Sequence, residues 1–265
     1  MSGGRSPVAP SELRILGEYE GLLFVDKPAG LQTEPDQRSQ DTLVSRIAAQ
    51  LGEPVARFHA LSRLDTGVSG VVTLGLSPDA RRRVQAWREQ GRFRRRYLAL
   101  ATGNPGEGFG SWTESIGRAA GNLRGVNGQR PESARTLFAL TASTAEHARA
   151  TPSVIHLLAL APLTGRTHQL RVHASAHALP LLGDRAYGGA SRIIHETGTV
   201  MALERIALHA AWVELPLPSP LRIEAETPTF LLDIWRAFSG EAQAFAAARL
   251  VSLDDSARAG AIAAR

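Results

Sequence analysis

The 265-residue chain contains no cysteine. Disulfides and thiolate-bound zinc are therefore excluded, and the absence suits a cytoplasmic protein without requiring one. Lysine is almost missing too: of the 30 basic residues only Lys27 is not arginine. Alanine is abundant, a bias that a GC-rich genome imposes without functional cause, so the placement of arginines says more than their number. The chain has no apolar run of about 18 residues, and no membrane-spanning helix is expected. The opening MSGGRSPVAPSE lacks an apolar segment, so no secretory signal is expected. The glycines match neither G-x-G-x-x-G nor G-x-x-x-x-G-K-S/T, which argues against a dinucleotide fold and a phosphate loop.

What is present describes an ordinary globule. Hydrophobic residues make up 43% and charged residues 21%, and the length allows a sizeable core in one large domain or two small ones. The net charge of +5 is a modest surplus that favours a polyanionic partner.

Residues 1–16, with Ser, Gly and Pro and little apolar content, read as a disordered lead-in. A short strand over 22–25 ends in the Asp26-Lys27-Pro28-Ala29-Gly30 turn. Leu43, Ile47 and Leu51 mark an amphipathic helix over 41–51, closed by Gly52. Ser77-Pro78-Asp79 is a good helix start, and that helix should run to about Gln90 before a strand over 92–101. Residues 103–133 read as a long loop or hairpin excursion inside one domain spanning 17–240. Strands are expected over 136–140, 154–161, 206–215 and 221–225, with a helix over 230–238 and an Ala-rich helical tail over 241–265 that frays. Residues 165–173 alternate in a way that puts Thr167, Gln169, Arg171 and His173 on one face of a strand. Short strands outnumber helices, which predicts an α+β fold with a largely antiparallel mixed sheet flanked by helices and loops.

Three constellations compete for the chemistry. His168, His173 and His177 cluster within ten residues, and His173 and His177 have the i, i+4 spacing of a helical ligand pair. No HExxH glutamate or cysteine accompanies them, so they read as structural or RNA-contacting residues and no metal is expected. Ser69, in V-S-G-V, lacks the first glycine of a nucleophile elbow and reads as a turn hydroxyl. The third constellation is centred on RFHALSRLDTGVSGVVTL, residues 57–74. There Asp65 lies two residues from Arg63, next to a turn and an apolar strand. Taken alone, a D-T-G acid is a turn residue that caps its own backbone. With arginines beside it, including Arg166 and Arg171 from TGRTHQLRVH, it is a candidate catalytic carboxylate kept ionised by an opposite charge. From Arg81 to Arg96 the chain carries eight arginines and one acid, interleaved with Trp87 and Phe93. This suits a phosphate-tracking surface, with Arg81, Arg82, Arg83, Arg94, Arg95 and Arg96 as contacts.

Five segments in order resemble the RluA-type family of RNA pseudouridine synthases: LLFVDKPAGL, SRLDTGVSG, RRRYLALATG, ESARTLFAL and LTGRTHQLRVHASAHALPLLGDRAYGG. The similarity runs from about Leu22 to Phe238. Ser62 and Val68 stand where that family usually has His and Thr, positions that support the loop and perform no chemistry. No S4-type domain precedes residue 20, so the likeness is to members without one. The resemblance implies a pseudouridine-synthase-like fold with a cleft across the middle of the sheet. It also implies Asp65 as catalytic aspartate, Tyr97 as the aromatic against the uracil, and Arg171 as the partner of Asp65. Arg63 would fill the gap left by an extruded nucleotide, with Leu64, Thr66, Arg166, His168, Gln169 and Leu170 as further substrate contacts. The expected substrate is ribosomal or transfer RNA. Isomerisation imports no group, so no cofactor is expected, and a monomer is the default. The alternative is a non-catalytic RNA-binding or ribosome-assembly module on the same fold.

Overall fold

A computed structural model describes residues 12–37, 39–146 and 148–253. The chain begins with a hairpin of β1 (Arg14–Tyr19) and β2 (Leu22–Lys27), followed by α1 (Leu43–Leu51), β3 (His59–Ala60) and β4 (Ser69–Gly75). Next come α2 (Pro78–Glu89), β5 (Arg94–Ala101), β6 (Phe109–Trp112), β7 (Ile116–Arg118), β8 (Arg124–Val126) and β9 (Gln129–Glu132). The third quarter holds β10 (Thr136–Ser143), β11 (His156–Pro162) and α3 (Gln169–Ala176). The last part contains β12 (Arg192–Ile194), β13 (Val200–Ala202), β14 (Leu208–Leu215), β15 (Leu221–Glu224), α4 (Thr229–Ala237) and α5 (Gln243–Leu250).

The main sheet runs β1-β2-β4-β14-β5-β11-β10-β6, with β15 added to β14 and β3 to β4. Among the described strands every pairing is antiparallel except that of β4 with β14. That parallel pair joins Ser69 to His209 and Gly70 to Ala210 in the middle of the sheet. Gly70 adopts φ +115°, and a Cβ there would collide with the Ala210 carbonyl. Only glycine lets these two backbones approach so closely.

Alternation along the strands divides the core between the faces. Leu23 and Val25 of β2, and Tyr97 and Ala99 of β5, join α1 and Leu170 of α3 on one face. Leu98 and Leu100 face the opposite way, onto Leu231, Ile234 and Trp235 of α4 and Phe245 of α5. Leu22 and Phe24 pack with Ala80 and Val84 of α2. The helix starts follow from their caps. Thr42 and Ser45 form a reciprocal capping box on α1, and the Ser77 hydroxyl accepts from the Ala80 N–H at 3.1 Å on α2.

Three sequence expectations change, and the loop-or-hairpin alternative over 103–133 resolves as hairpins. β1 begins at Arg14, inside the stretch expected to be a disordered lead-in; residues 1–11 lie outside the described residues. Residues 103–133 hold strands β6 to β9, of which β7, β8 and β9 make a small sheet of their own. The tail is docked over 243–250, because Phe245 and Ala248 are buried in the core; residues 254–265 lie outside the described residues. Residues 169–176 are helical rather than extended. Positions 169–174 are all buried, so α3 has no polar stripe to reveal its period in sequence. Among the described residues no helix is long and apolar enough to cross a membrane.

Candidate active site

The Asp65 loop leaves β3 and enters β4, and backbone contacts fix its shape. Thr33 Oγ1 donates to the Leu64 carbonyl at 3.0 Å and accepts from the Leu64 N–H at 3.2 Å. The Gly30 N–H donates to the Thr66 carbonyl at 2.7 Å, and the Val68 N–H to the Asp65 carbonyl at 3.0 Å. Ser62 Oγ accepts from the Thr73 N–H at 2.9 Å, so a short hydroxyl anchors the loop to β4 where the family usually has His. Val68 is buried in the apolar core.

Lys27 lies beneath this loop and is fully buried. Its Nζ donates to the carbonyls of Leu31 at 2.6 Å, Pro28 at 3.0 Å and Thr66 at 3.4 Å. Burial draws its pKa down to about 8, against the upward pull of the Asp65 charge. Sequence reasoning passed over Lys27 as part of a turn. The available signal was that the only lysine in an arginine-rich chain stands there.

Arg171 arrives from α3. Its Nη1 donates to Asp65 Oδ2 at 2.8 Å, while Nε and Nη2 grip Asp184 at 2.7 and 2.8 Å. The Tyr187 ring lies 4.8 Å below the guanidinium carbon. Burial works to lower the Arg171 pKa, but the bonds and charges of Asp184 and Asp65 outweigh it and raise it. Asp184 is held by a glycine turn: Gly183 has φ +77°, and a Cβ there would strike the Arg205 carbonyl. Asp184 and Tyr187 lie in the LLGDRAYGG stretch and are not among the residues the sequence points to as site residues.

His168 caps α3 in the left-handed region, φ 59°. Its Nε2 stands 4.0 Å from Asp65 Oδ2, and its Nδ1 is 2.7 Å from the Tyr187 hydroxyl, which also accepts from the Arg124 N–H at 2.9 Å. Burial lowers the His168 pKa, opposed by the charge of Asp65. His173 and His177 point elsewhere. His173 reaches Thr136 Oγ1 and the Glu114 carbonyl, and His177 meets the Glu114 carboxylate at 2.9 Å.

Asp65, Arg171 and His168 border a cleft of about 910 Å³. Asp65, Tyr97, Arg171, Arg63, Leu64, Arg166, His168, Gln169 and Leu170 all line it. Tyr97 is buried, and burial raises its pKa, so it stands as a neutral phenol at neutral pH.

Several expected site residues are placed differently. Thr66 lies outside the cleft lining, and its carbonyl ties the loop to Gly30 and Lys27. The Gln169 amide is committed within the protein: Oε1 accepts from Thr164 Oγ1 and the Arg166 N–H, and Nε2 donates to the Arg135 carbonyl and Thr136 Oγ1. Of the six arginines expected on RNA phosphates, only Arg95 lines the cleft. Arg96 is 4% exposed on the opposite face of β5, donating to the carbonyls of Ala248 and Val251. Arg94 faces Glu214 at 3.6 Å on that same side. Arg82 and Arg83 pair with Asp79 and Glu20. Arg81 lies against Gly75. Arg88, not singled out in the sequence, reaches the cleft from α2.

Comparison with known proteins decides the family. A model of the family described as RNA pseudouridylate synthase matches residues 21–176, more than half of the chain. The chain belongs to the RluA-type RNA pseudouridine synthases. It is 30% identical over 234 residues to "Uncharacterized RNA pseudouridine synthase YhcT" of Bacillus subtilis, covering 86% of this chain and 72% of the relative. It is also 30% identical over 234 residues to "Dual-specificity RNA pseudouridine synthase RluA" of Haemophilus influenzae, covering 85% and 94%. The solved structure of "Human RNA Pseudouridylate Synthase Domain Containing 1" superposes with a TM-score of 0.66 at 24% identity, covering 95% of this chain and all of that one. At that identity the superposition speaks for the fold alone. As a pseudouridine synthase, this chain is an enzyme that isomerises uridine in RNA.

Proposed function

We propose that this synthase isomerises particular uridines of ribosomal or transfer RNA, with Asp65 as the reacting carboxylate. The observation that carries the reading is the 2.8 Å contact of Asp65 with Arg171, at the edge of a cleft that also holds Tyr97. Isomerisation breaks the bond from C1′ to N1, turns the uracil, and joins C1′ to C5. The C5 proton is lost and N1 gains one, so nothing is oxidised and no group is imported. A carboxylate at C1′ or C6 serves that chemistry, and the guanidinium bonded to it holds it in place. Swinging the nucleotide out costs a few kcal/mol, least where the base is already unstacked. Arg63, with its side chain 69% exposed at the rim, fills the vacated space. Tyr97 stacks on the base, a contact worth ~1–3 kcal/mol. His168, Arg166, Leu64 and Leu170 shape the pocket around the sugar and base. The enzyme acts in the cytoplasm as a monomer and needs no cofactor.

Pseudouridine mapping in ribosomal and transfer RNA tests the proposal, using cells with the protein, without it, and with Asp65→Asn in its place. One or more positions should lose pseudouridine without the protein and should not regain it with Asp65→Asn. Full restoration by Asp65→Asn would overturn it.

A further inference from the structure

Five arginines line the cleft: Arg63, Arg88, Arg95, Arg166 and Arg171. Three have carboxylate partners. Arg63 faces Glu34 at 3.9 Å, Arg166 pairs with Glu132, and Arg171 holds Asp65 and Asp184. Arg88 and Arg95 make no ion pair among the described residues and are tied to backbone instead. Arg95 Nη2 donates to the carbonyls of Pro162 at 2.9 Å and Thr164 at 3.0 Å, and Arg88 Nη2 donates to the Leu61 carbonyl. The Arg88 guanidinium also rests 5.2 Å over the Phe93 ring. Each cation is thus held in place through one amino group, while its Nη1 makes no bond to protein among the described residues.

The charge of Arg95 acts on Arg88, and both act on their surroundings. Burial, and next the charge of Arg95, draw the Arg88 pKa down to about 10. Both arginines, like Asp65, also act on the Tyr97 phenol, which lines the same cleft. Two guanidiniums lining one cleft, with no carboxylate paired to either among the described residues, are unfavourable until an anion arrives. A guanidinium pair with free donors matches the oxygens of a phosphate.

We propose that Arg88 and Arg95 form a phosphodiester subsite that holds a backbone phosphate flanking the swung-out uridine. The proposal rests on the pseudouridine synthase reading of this cleft. Arg171 and Arg63 act at the sugar and the vacated stack, whereas Arg88 and Arg95 anchor the strand at the base end. The site reads phosphate and not sequence, so it fixes how far the nucleotide enters without selecting which uridine is taken.

Calorimetric titration of the full chain with uridine and with uridine 3′,5′-bisphosphate tests this directly. The bisphosphate should bind about tenfold or more tightly than uridine, the factor of a single charge-assisted contact. Arg88→Gln and Arg95→Gln should each shrink that gain, and the double variant should abolish it. Arg88→Lys with Arg95→Lys, which keeps the charge, should restore part of it. Arg14→Gln, which removes an arginine paired with Glu226 on β1, should leave the gain unchanged. Asp65→Asn should also retain the gain while losing turnover, which separates this site from the catalytic reading. Equal binding of uridine and bisphosphate by the unaltered protein would overturn the subsite. So would a full gain surviving in both single glutamine variants, which carry the test if the double variant does not fold.

Discussion

Asp65 and Asp184 share one guanidinium but not one environment. Asp184 is 1% exposed and receives two bonds from Arg171, whereas the Asp65 side chain is 27% exposed, receives one, and borders the cleft. The sealed carboxylate fixes the arginine, and the open one is presented to substrate. A second contrast, of orientation rather than burial, separates the faces of β5. Arg95 and Tyr97 look into the cleft, while Arg94 and Arg96 serve the other side of the sheet. Burial divides the roles of the two aspartates, and the face of the strand divides those of the β5 arginines.

Substituting the sealed member should have the largest effect on stability. Asp184→Asn leaves the Arg171 charge buried with half its support, a loss of about 3–5 kcal/mol. Urea unfolding should show that loss, while Asp65→Asn should change stability by under about 1 kcal/mol; equal losses would erase the distinction. Turnover should also fall in Asp184→Asn, because Arg171 is then free to turn from Asp65.

Tyr97 comes next. Tyr97→Ala removes the stacking platform and should weaken binding of the extruded base by ~1–3 kcal/mol, whereas Tyr97→Phe should keep most of it. If the two variants behave alike in RNA-binding assays, the ring is not the contact that matters.

A pH effect belongs to the sheet beneath the site. His209 is buried on β14, with Nδ1 3.0 Å from Ser69 Oγ, and burial chiefly lowers its pKa to about 3 from 6.5. In that window the unfolded chain binds a proton that the fold excludes. Stability is therefore undiminished by this group above pH 6.5 and falls as pH drops from there toward 3. Thermal melts across that range should show the decline, and His209→Gln should flatten it.

The smallest effects should come from the outward arginines. RNA binding should weaken steeply with salt. Arg94→Gln should shift affinity by less than about 0.5 kcal/mol, in contrast to Arg95→Gln. Filter binding at two salt concentrations would show whether the faces of β5 differ as the structure requires.

Much of this was legible in the sequence. Helices α1 and α2 carry their caps in plain letters, and β2 and β14 are largely apolar runs with punctuated ends. The motif order led to Asp65, Tyr97 and Arg171 in one cleft. Three things were not legible. The period of α3 was hidden because burial on all sides leaves no polar stripe. The partner of Arg171 lay thirteen residues onward in a glycine turn, with no local sign that its carboxylate would point inward. The arginine run around β5 looked uniform because sequence shows alternation only when residue types alternate, and here they do not.

The measurement that bears most directly on the central claim is single-turnover release of tritium from RNA labelled at uridine C5, with enzyme in excess. Wild-type protein should release it, and Asp65→Asn should release less than a few per cent (about a hundredfold less) while still binding the RNA. Release by Asp65→Asn at a rate close to wild type would contradict the assignment of Asp65 as the reacting carboxylate.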